Sequence, residues 1–345
     1  MTMPNTVYLP QIGRGISVTE GETILQAALA AGISYPHGCR MGRCGACKSH
    51  LVSGEVDLLK HTPFSLTEEE KAEGLTLACR AMPKSDVTIS WLDGADETAN
   101  IPAGRFEGVI AQTVEATHDI KLVQVKISNR NQFDFRAGQY MRFFYPGSPP
   151  RDYSIASRPD EELIEFHIRQ VPGGATSTRI FAQAKAGDAI TVEGPFGSSF
   201  LREKHRGPIL GIAGGSGLAP VKAIAETALA RNMGQPIHVY FGARAARDLY
   251  MVEQFRELST RHGNLSFVPV LSQEAQTGRR SGQVGAVVAE DFGDLDGWKA
   301  YLAGPPAMID ATAPLLIERG IRAADIHADV FFTPGTIDEV TGAGL

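Results

Sequence analysis

The sequence is short of cysteine, of excess charge and of long apolar runs. Its 345 residues include only four cysteines, and the net charge is −6. No run approaches the roughly 18 apolar residues of a membrane helix, and the first residues lack the basic and apolar regions of a signal peptide. A nucleic-acid-binding protein would need a basic face, which this charge does not favour. We therefore expect a soluble, monomeric, cytoplasmic enzyme with no membrane or nucleic-acid partner.

All four cysteines fit one metal-binding pattern. Cys39, Cys44 and Cys47 lie within nine residues, and Cys79 follows later. This is the C-x4-C-x2-C…C spacing of a plant-type 2Fe-2S cluster, in which four thiolates bind two irons. Neighbouring glycines let the loop turn tightly and bring N–H groups to the sulfurs. A zinc site usually uses two C-x2-C pairs, of which the sequence has one, and two disulfides are the other alternative. With all four cysteines in one metal pattern, a reducing cytoplasm is expected.

The spacing of strands and helices changes along the chain and predicts several domains. Short strands at regular intervals favour an antiparallel barrel, whereas strands alternating with helices favour a doubly wound parallel sheet. We predict a small α+β (β-grasp) domain at 1–94, a polar linker at 95–104, an antiparallel β-barrel at 105–206, a doubly wound α/β domain at 207–335 and a loose tail at 336–345.

Individual elements can also be placed. We expect helices at 22–31, from Thr67 through a capping box, and at 178–184 with Thr176 or Ser177 as the cap. A last helix at 308–317 contains Pro314, which should kink or break it. The clearest strands are predicted at 15–18, 48–53, 87–91, 120–127, 208–213, 236–242 and 265–271.

The third domain contains a candidate phosphate-binding turn. Gly215 to Pro220 follows an apolar strand and opens a helix, where N–H groups and the helix dipole favour a phosphate. Pro220 suits the first helical turn. The turn lacks the third glycine of G-x-G-x-x-G, so a simple structural turn is the alternative. No acidic residue ends the second strand to bind a ribose. Arg244 and Arg247 stand nearby instead.

The middle domain contributes two further candidate elements, Arg151-Asp152-Tyr153-Ser154 and the glycine-rich turn before a helix at 173–177. An arginine can hold a phosphate, a tyrosine offers a flat face to an aromatic ring, and a helix N-terminus receives an anion. Taken without the neighbouring domains, Tyr153 is better interpreted as barrel core and Arg151 as a surface charge.

Together these motifs resemble the flavin-dependent reductases of bacterial ring-hydroxylating dioxygenases, which belong to the ferredoxin reductase superfamily. The resemblance covers residues 5–334, in the order ferredoxin, FAD-binding barrel and NAD(P)-binding domain. It includes the R-x-Y-S flavin motif, the flavin pyrophosphate turn, a G-x-G-x-x-P nicotinamide turn and a G-P-P element at Gly304. Stretches such as 165–169 look like those of naphthalene dioxygenase reductases. One departure is Ala303, where many members carry cysteine.

The resemblance implies cofactors and roles for individual residues. FAD and a 2Fe-2S cluster would be bound, and NADH would be the donor, with NADPH possible. Tyr153 would pack on the isoalloxazine ring, Ser154 would lie near its N5, Arg151 would hold the pyrophosphate, and Phe331 or Phe332 would cover the other flavin face. The remaining implied cofactor-binding residues are His167, Arg169, Gly173, Gly174, Thr176, Ser177, Gly215, Gly217, Pro220, Arg244, Arg247, Gly304 and Pro305.

The chemistry agrees with this assignment. NADH gives up two electrons as a hydride whereas the cluster accepts one, so a flavin must stand between them. The resemblance implies that electrons leave for a Rieske-type ferredoxin or the terminal oxygenase of an aromatic ring-hydroxylating dioxygenase. A reductase of a soluble di-iron monooxygenase or of a sugar-deoxygenation system remains an alternative. So does an iron–sulfur electron carrier without flavin.

Overall fold

The computed structural model describes residues 4–92 and 101–332. The predicted tail at 336–345 and most of the predicted linker at 95–104 lie outside the described residues. None of the described helices is both long and apolar enough to span a membrane. Contacts divide the chain into two units, and the division falls between residues 100 and 101.

The first unit is built on a mixed five-stranded sheet. The sheet order is β2-β1-β7-β3-β5, in which β1 and β7 run parallel and the other neighbours antiparallel, and β4 pairs with β6 separately. This is the predicted α+β ferredoxin-type fold. The strands are β1 (Asn5–Leu9), β2 (Arg14–Val18), β3 (Lys48–Ser53), β4 (Val56–Leu58), β5 (Leu75–Leu77), β6 (Ala81–Pro83) and β7 (Val87–Trp91), and the helices are α1 (Ile24–Ala30) and α2 (Glu68–Ala72).

Both helices of this unit begin with a capping box. Thr23 caps α1 reciprocally with Gln26, so the helix starts two residues later than residue 22. Thr67 caps α2 with Glu70, as predicted. In each case two N–H groups that would otherwise lack partners are satisfied. Helix α1 buries its apolar face in the core of the unit, next to the loop that carries three cysteines.

The second unit begins with a six-stranded antiparallel sheet in the order β11-β10-β13-β8-β9-β12. A bridge between Ile155 and Phe166 joins its two edges, which confirms the predicted barrel. Alternate residues of β12 face the barrel core, where Ile164, Phe166 and Ile168 are fully buried. The strands are β8 (Gly104–Glu115), β9 (Ile120–Ile127), β10 (Tyr140–Phe144), β11 (Arg151–Ser154), β12 (Ile164–Arg169) and β13 (Ala189–Phe196), and the helix is α3 (Ala175–Gln183).

The remainder of the second unit is a parallel sheet in the order β17-β16-β15-β14-β18-β19. The chain moves outward from β14 to β15 and β16, then returns to β18 on the other side, which makes the predicted doubly wound sheet. The strands are β14 (Ile209–Gly214), β15 (Ile237–Ala243), β16 (Leu265–Leu271), β17 (Arg280–Ser281), β18 (Lys299–Gly304) and β19 (Ile326–Val330), and the helices are α4 (Leu218–Ala230), α5 (Val252–Arg261), α6 (Val284–Asp291) and α7 (Pro306–Glu318).

Two expectations about helices need correction. Helix α3 starts at Ala175 with Gly174 as its N-cap, because the hydroxyls expected to cap it are used elsewhere. Thr176 Oγ1 donates to the carbonyl of Pro149 at 2.6 Å, and Ser177 Oγ accepts from the N–H of Val171 at 3.1 Å.

Helix α7 does not break at Pro314. It continues to Glu318 because it packs against α6, β18 and β19, and such tertiary contacts outweigh one missing hydrogen bond.

A buried polar network joins the barrel to the parallel sheet within the second unit. Lys222 on α4 lies 3.5 Å from Glu165 and 3.1 Å from Glu226, and donates to the carbonyl of Ala156 at 3.0 Å. Burial alone would raise the pKa of Glu165, but its hydrogen bond with His167 and the charge of Lys222 outweigh burial and hold that pKa at about 2. The network therefore keeps a buried carboxylate ionised between the two layers.

Candidate functional site

The four cysteines converge in the first unit. Cys39, Cys44 and Cys47 lie on the loop between α1 and β3, and Cys79 follows β5. All four are free thiols. The N–H of Cys39 donates to Cys44 Sγ at 3.3 Å, and that of Cys79 donates to Cys47 Sγ at 3.4 Å. The thiols are therefore arranged as two pairs, 39 with 44 and 47 with 79.

The loop around Cys39 is shaped for sulfur ligands. The N–H groups of Met41 and Arg43 point at Cys39 Sγ from 3.4 Å and 3.3 Å. The hydrogen bond with Cys44, helped by these N–H groups, lowers the pKa of the Cys39 thiol to about 6 despite its burial. Such a thiol is readily present as the thiolate that metals bind.

Gly42 is required in the same loop. It has φ +68°, and an added Cβ would lie 2.8 Å from Arg80 Cγ and 2.9 Å from His61 Cβ. Within the described ranges, no three His, Cys, Asp or Glu side chains converge on a single metal ion. Two pairs of thiols, of which only Cys39 is partly exposed, fit a cluster of two irons with two thiolates each.

The candidate flavin elements lie on the barrel. Arg151 on β11 is exposed and makes no ion pair with any described residue, so its guanidinium can meet a phosphate. Tyr153 is half-buried and packs edge-on against Phe143, with ring centroids 6.0 Å apart. Gly173 has φ +74°, and a Cβ on Gly174 would lie 2.7 Å from Ser177 Oγ. Gly173 is therefore favoured by its backbone conformation and Gly174 by close packing, and such a glycine turn at a helix N-terminus suits a pyrophosphate.

Ser154 joins the barrel to the parallel sheet. Its Oγ donates to Oδ2 of Asp329 on β19 at 2.8 Å. Burial raises the pKa of Asp329 to about 6, although the hydrogen bond from Ser154 opposes the increase. Sequence reasoning missed this carboxyl as a site residue, because only the fold brings residue 329 to residue 154. The available signal was that residues 327–329 resemble the corresponding stretch of naphthalene dioxygenase reductases.

Phe331 and Phe332 directly follow β19 and so lie two and three residues after Asp329 in the chain. The N–H of Phe331 donates to the carbonyl of Gly304 at 2.9 Å. Phe331 and Phe332 are both half-buried. Gly304 ends β18 with φ +153° and Pro305 follows as the N-cap of α7, so the G-P-P element forms a tight strand-to-helix turn.

A cavity of about 220 Å³ opens at the carboxyl ends of β14 and β15. This is the edge of an open parallel sheet where ligands usually bind. Gly215, Arg169, Arg244, Asp248 and Pro305 are among its lining residues. The predicted nucleotide turn and one of the two predicted arginines therefore meet at the same cavity.

The glycines of this turn are fixed by close backbone contacts. A Cβ on Gly217 would lie 2.0 Å from the carbonyl oxygen of Ala303, and Gly215 has φ +57°. Pro220 is buried in the first turn of α4. Ala303 is buried near the end of β18.

His167 and Arg169 were predicted as cofactor residues, and the structure separates them. Arg169 Nε donates to Asp119 at 2.8 Å and the side chain lines the cavity. His167 is buried between Glu165 Oε1 at 3.1 Å and Tyr250 Oη at 2.9 Å. Burial lowers the pKa of His167, so the neutral ring donates to Glu165 and accepts from Tyr250. Both ring nitrogens therefore have protein partners, and a role of His167 in cofactor binding stays a prediction.

Asp248 is a second site residue that sequence reasoning missed. It follows β15 by a short turn, and its Oδ2 lies 3.7 Å from Arg244 Nε and accepts from the N–H of Ala245 at 3.0 Å. Its Oδ1 is buried and lacks a hydrogen-bond donor among the described residues, although His118 Nδ1 lies 3.8 Å and Arg247 Nε 4.0 Å away. A buried acceptor in a cavity wall is costly unless a ligand donates to it. Strand β15 itself ends without an acidic residue, as expected, but the turn that follows it brings Asp248 to the cavity.

Comparison with known proteins identifies the same three parts. Residues 8–84 match the 2Fe-2S iron-sulfur cluster binding domain, 107–200 the oxidoreductase FAD-binding domain and 212–313 the oxidoreductase NAD-binding domain.

Two curated relatives and one solved structure match nearly the whole chain. The reductase component of naphthalene 1,2-dioxygenase/salicylate 5-hydroxylase systems from Ralstonia sp. is 36% identical over 93% of this chain and 96% of its own length. The phenol 2-monooxygenase reductase component DmpP from Pseudomonas sp. (strain CF600) is 37% identical over 96% and 95%. The crystal structure of the Amycolatopsis cytochrome P450 reductase GcoB has 35% identity and a TM-score of 0.73, and the match covers 95% of this chain and 98% of that one.

Proposed function

The chain belongs to the family of ferredoxin–NAD(P)+ reductase components of multicomponent oxygenases, and from this we propose that it passes electrons from NADH through FAD and a 2Fe-2S cluster to a separate redox protein. The observation that carries the proposal is that one chain holds two pairs of free thiols together with a cavity at the glycine-rich turn of the parallel sheet. When bound, FAD accepts a hydride and the cluster carries single electrons, so the two cofactors connect a two-electron donor to a one-electron acceptor.

The chain's own residues bind and orient these groups. Cys39 and Cys44 would hold one iron, and Cys47 and Cys79 the other, because these are the thiols that lie in pairs. Arg151 would neutralise the flavin pyrophosphate, whose other contacts would be N–H groups at the start of α3. We assign the domain boundaries as predicted, at 1–94, 105–206 and 207–335.

Ser154 and Asp329 would form a hydrogen-bonded pair that can hold a proton where the barrel meets the parallel sheet of the second unit. The Asp329 carboxylate accepts from the Ser154 hydroxyl at 2.8 Å and so fixes its orientation. Because the pKa of Asp329 is raised to about 6, the pair can carry a proton near neutral pH. Tyr153 would offer its flat face to the flavin ring, and Phe332 is our candidate for the opposite face.

We further propose that NADH is preferred and that NADPH is used less well. Asp248 supports this, because its buried Oδ1 can accept from a ribose hydroxyl and its negative charge would repel a 2′-phosphate. Arg244 and Arg247 are 51% and 75% exposed at the side chain and partly offset that repulsion.

The acceptor that we propose is a Rieske-type ferredoxin or the terminal oxygenase of an aromatic dioxygenase system, by analogy with the naphthalene dioxygenase reductases at 36% and 34% identity. The equally similar phenol 2-monooxygenase reductase component supports a second candidate, the hydroxylase of a soluble monooxygenase. Four free thiols suit a reducing compartment, so we place the protein in the cytoplasm. A monomer remains our prediction for the oligomeric state.

The test is to purify the protein, extract its flavin and measure iron and sulfide. We expect FAD, about two iron atoms and two sulfides per chain, and a reduced-state EPR signal after anaerobic addition of NADH. A protein with the cluster but no extractable flavin would support the electron-carrier alternative instead. Absence of the EPR signal after addition of NADH would contradict the proposed electron path.

A further inference from the structure

The cysteine loop comes nearest to the surface at Cys39. Cys39 is partly exposed, whereas Cys44, Cys47 and Cys79 are 8%, 4% and 5% exposed. The next residue, Arg40, is exposed and has φ +57°. Because electron transfer slows steeply with distance, an acceptor has to approach the cluster site at this point of the first unit.

The segments that form this part of the unit contain basic residues and no carboxylate. No Asp or Glu occurs at 23–54, 58–67 or 74–85, and these three segments include all four cysteines. This is unexpected in a chain whose net charge is −6. Their basic residues are Arg40, Arg43, Lys48, Lys60, Arg80 and Lys84.

Contacts at Gly42 show that the three segments meet around the loop. The Gly42 carbonyl accepts from the N–H of Thr62 at 2.9 Å and from Ser65 Oγ at 2.7 Å. On its other side, Gly42 packs against Arg80 and His61. His61, Thr62, Ser65 and Arg80 therefore pack against the cysteine loop, and the exposed Lys60 is the chain neighbour of His61.

Not every basic residue is available to a partner. Lys48 forms an ion pair with Glu70 at 2.6 Å, and Lys84 lies 3.6 Å from Asp57. Lys60 is exposed and makes no ion pair with any described residue. Arg40 Nη2 lies 3.1 Å from His37 Nε2, and no ion pair of Arg40 is found among the described residues.

The other three residues for which no ion pair is found in the described part of the chain, Arg40, Lys60 and Arg80, are called the basic rim below. No carboxylate forms an ion pair with Arg40, Lys60 or Arg80 among the described residues. We propose that the basic rim is the docking surface for the electron acceptor, and that this acceptor is a protein with an acidic face around its redox centre.

This inference rests on the proposed function and adds the chemistry of the partner. One electron leaves the reductase and is gained by the acceptor, and no covalent bond forms or breaks. The rim gives the encounter its orientation, because complementary charge raises association rates at low salt and weakens as salt screens it. The net charge of the whole chain would favour the opposite kind of partner, a basic one, so the proposal makes a distinct prediction.

The test uses one acceptor in two charge states. Native cytochrome c has a basic lysine surface, and succinylation converts those ammonium groups to carboxylates while the haem stays the same. NADH-dependent reduction of both forms is measured anaerobically between about 10 mM and 0.5 M salt, where screening ranges from weak to nearly complete. We expect the succinylated form to react about tenfold faster at the lowest salt, and the difference to disappear at the highest. Faster reduction of the native form at low salt would overturn the proposal.

Two charge reversals locate the effect on the rim. Lys60→Glu should lower kcat/KM for the succinylated form by about three- to tenfold at low salt. At high salt, the kcat/KM of this variant should equal that of the parent. Lys60→Gln, which only removes the charge, should lower kcat/KM at low salt by a smaller factor. The matched control is Arg14→Glu, an equal change of charge on the exposed edge strand β2, at the opposite end of the sheet order from β5. Equal decreases of kcat/KM in Lys60→Glu and Arg14→Glu would overturn the proposal that the acceptor docks at the basic rim.

The proposed function can fail separately from the rim. If the parent protein reduces ferricyanide with NADH but shows no preference for the acidic cytochrome, the docking surface is wrong and the reductase assignment stands. If the parent protein reduces neither ferricyanide nor either cytochrome, the reductase assignment fails and the docking proposal fails with it.

Discussion

The tightest contact in the nucleotide turn gives a sharp test of the site. Gly217 ends the turn between β14 and α4, and a Cβ placed on it would lie 2.0 Å from the Ala303 carbonyl oxygen and 2.5 Å from the Ala303 carbonyl carbon. Side-chain carbons essentially never approach such atoms within about 3.0 Å. In Gly217→Ala the turn must therefore move away from β18 by about 1 Å, and Gly215 moves with it.

A displacement of this size is enough to disturb the donor's position severely. Misplacing a bound reactant by about 1 Å can cost about 100-fold in rate. We expect kcat/KM for NADH in ferricyanide reduction to fall by about 30- to 100-fold in Gly217→Ala, which corresponds to roughly 2–2.7 kcal/mol. FAD content should stay at the parent level, because the candidate flavin residues lie on the barrel.

The control is Gly234→Ala, in an exposed loop of the same sheet domain where an added Cβ meets nothing within 4 Å. Its kcat/KM for NADH should stay within about twofold of the parent, as for an ordinary surface substitution. Parent-like kinetics in Gly217→Ala would refute the reasoning, since the turn would then tolerate a shift that the geometry makes unavoidable.

Three further predictions follow from the same site. Arg151→Ala should lower FAD occupancy after purification, because a charge-assisted phosphate contact is worth about 1.5–3 kcal/mol, and full occupancy measured by absorption would argue against the assignment. Asp329→Asn should stabilise the second unit by up to about 2 kcal/mol at pH 8, allowing for partial exposure. The reason is that folding raises the pKa of the Asp329 carboxyl from 3.8 to about 6. Such a carboxyl lowers the free energy of unfolding fully above pH 6 and not at all below pH 4. Melting curves should show this gain shrinking between pH 8 and pH 5, and a gain that does not change with pH would contradict the cause given. The double change Arg244→Ala with Arg247→Ala should reduce activity with NADPH by about fivefold or more and with NADH by less than twofold, and equal losses with both donors would count against the proposed role.

Sequence patterns predicted the parts of the fold that depend on local spacing. The strands at 48–53, 87–91, 120–127 and 265–271 have the predicted bounds, since each combines alternation or a short apolar run with clear turn residues at its ends. The short strands β1, β4 and β6 were not predicted. Three to five residues are too few to show a period, and these strands exist because partners distant in the chain pair with them.

The candidate site divides in the same way. The four cysteines and the glycines at 215 and 217 were found because a ligand spacing and a tight turn are local features of sequence. Asp329 and Asp248 were not found, because their importance comes from contacts with Ser154 and with the cavity that only tertiary structure creates. His167 was assigned to a cofactor from its place in a motif, but its ring is held by Glu165 and Tyr250.

The central claim is that electrons enter at the flavin site and leave through the cysteine cluster, and Cys79→Ser tests it most directly. Cys79 belongs to the first unit and lies outside the loop that holds the other three thiols, so its loss should leave the flavin site intact. We predict that NADH-dependent ferricyanide reduction stays near the parent rate while reduction of a protein acceptor is lost. If the variant still reduced the protein acceptor at the parent rate, the flavin would be the exit site and the proposed order of carriers would be wrong.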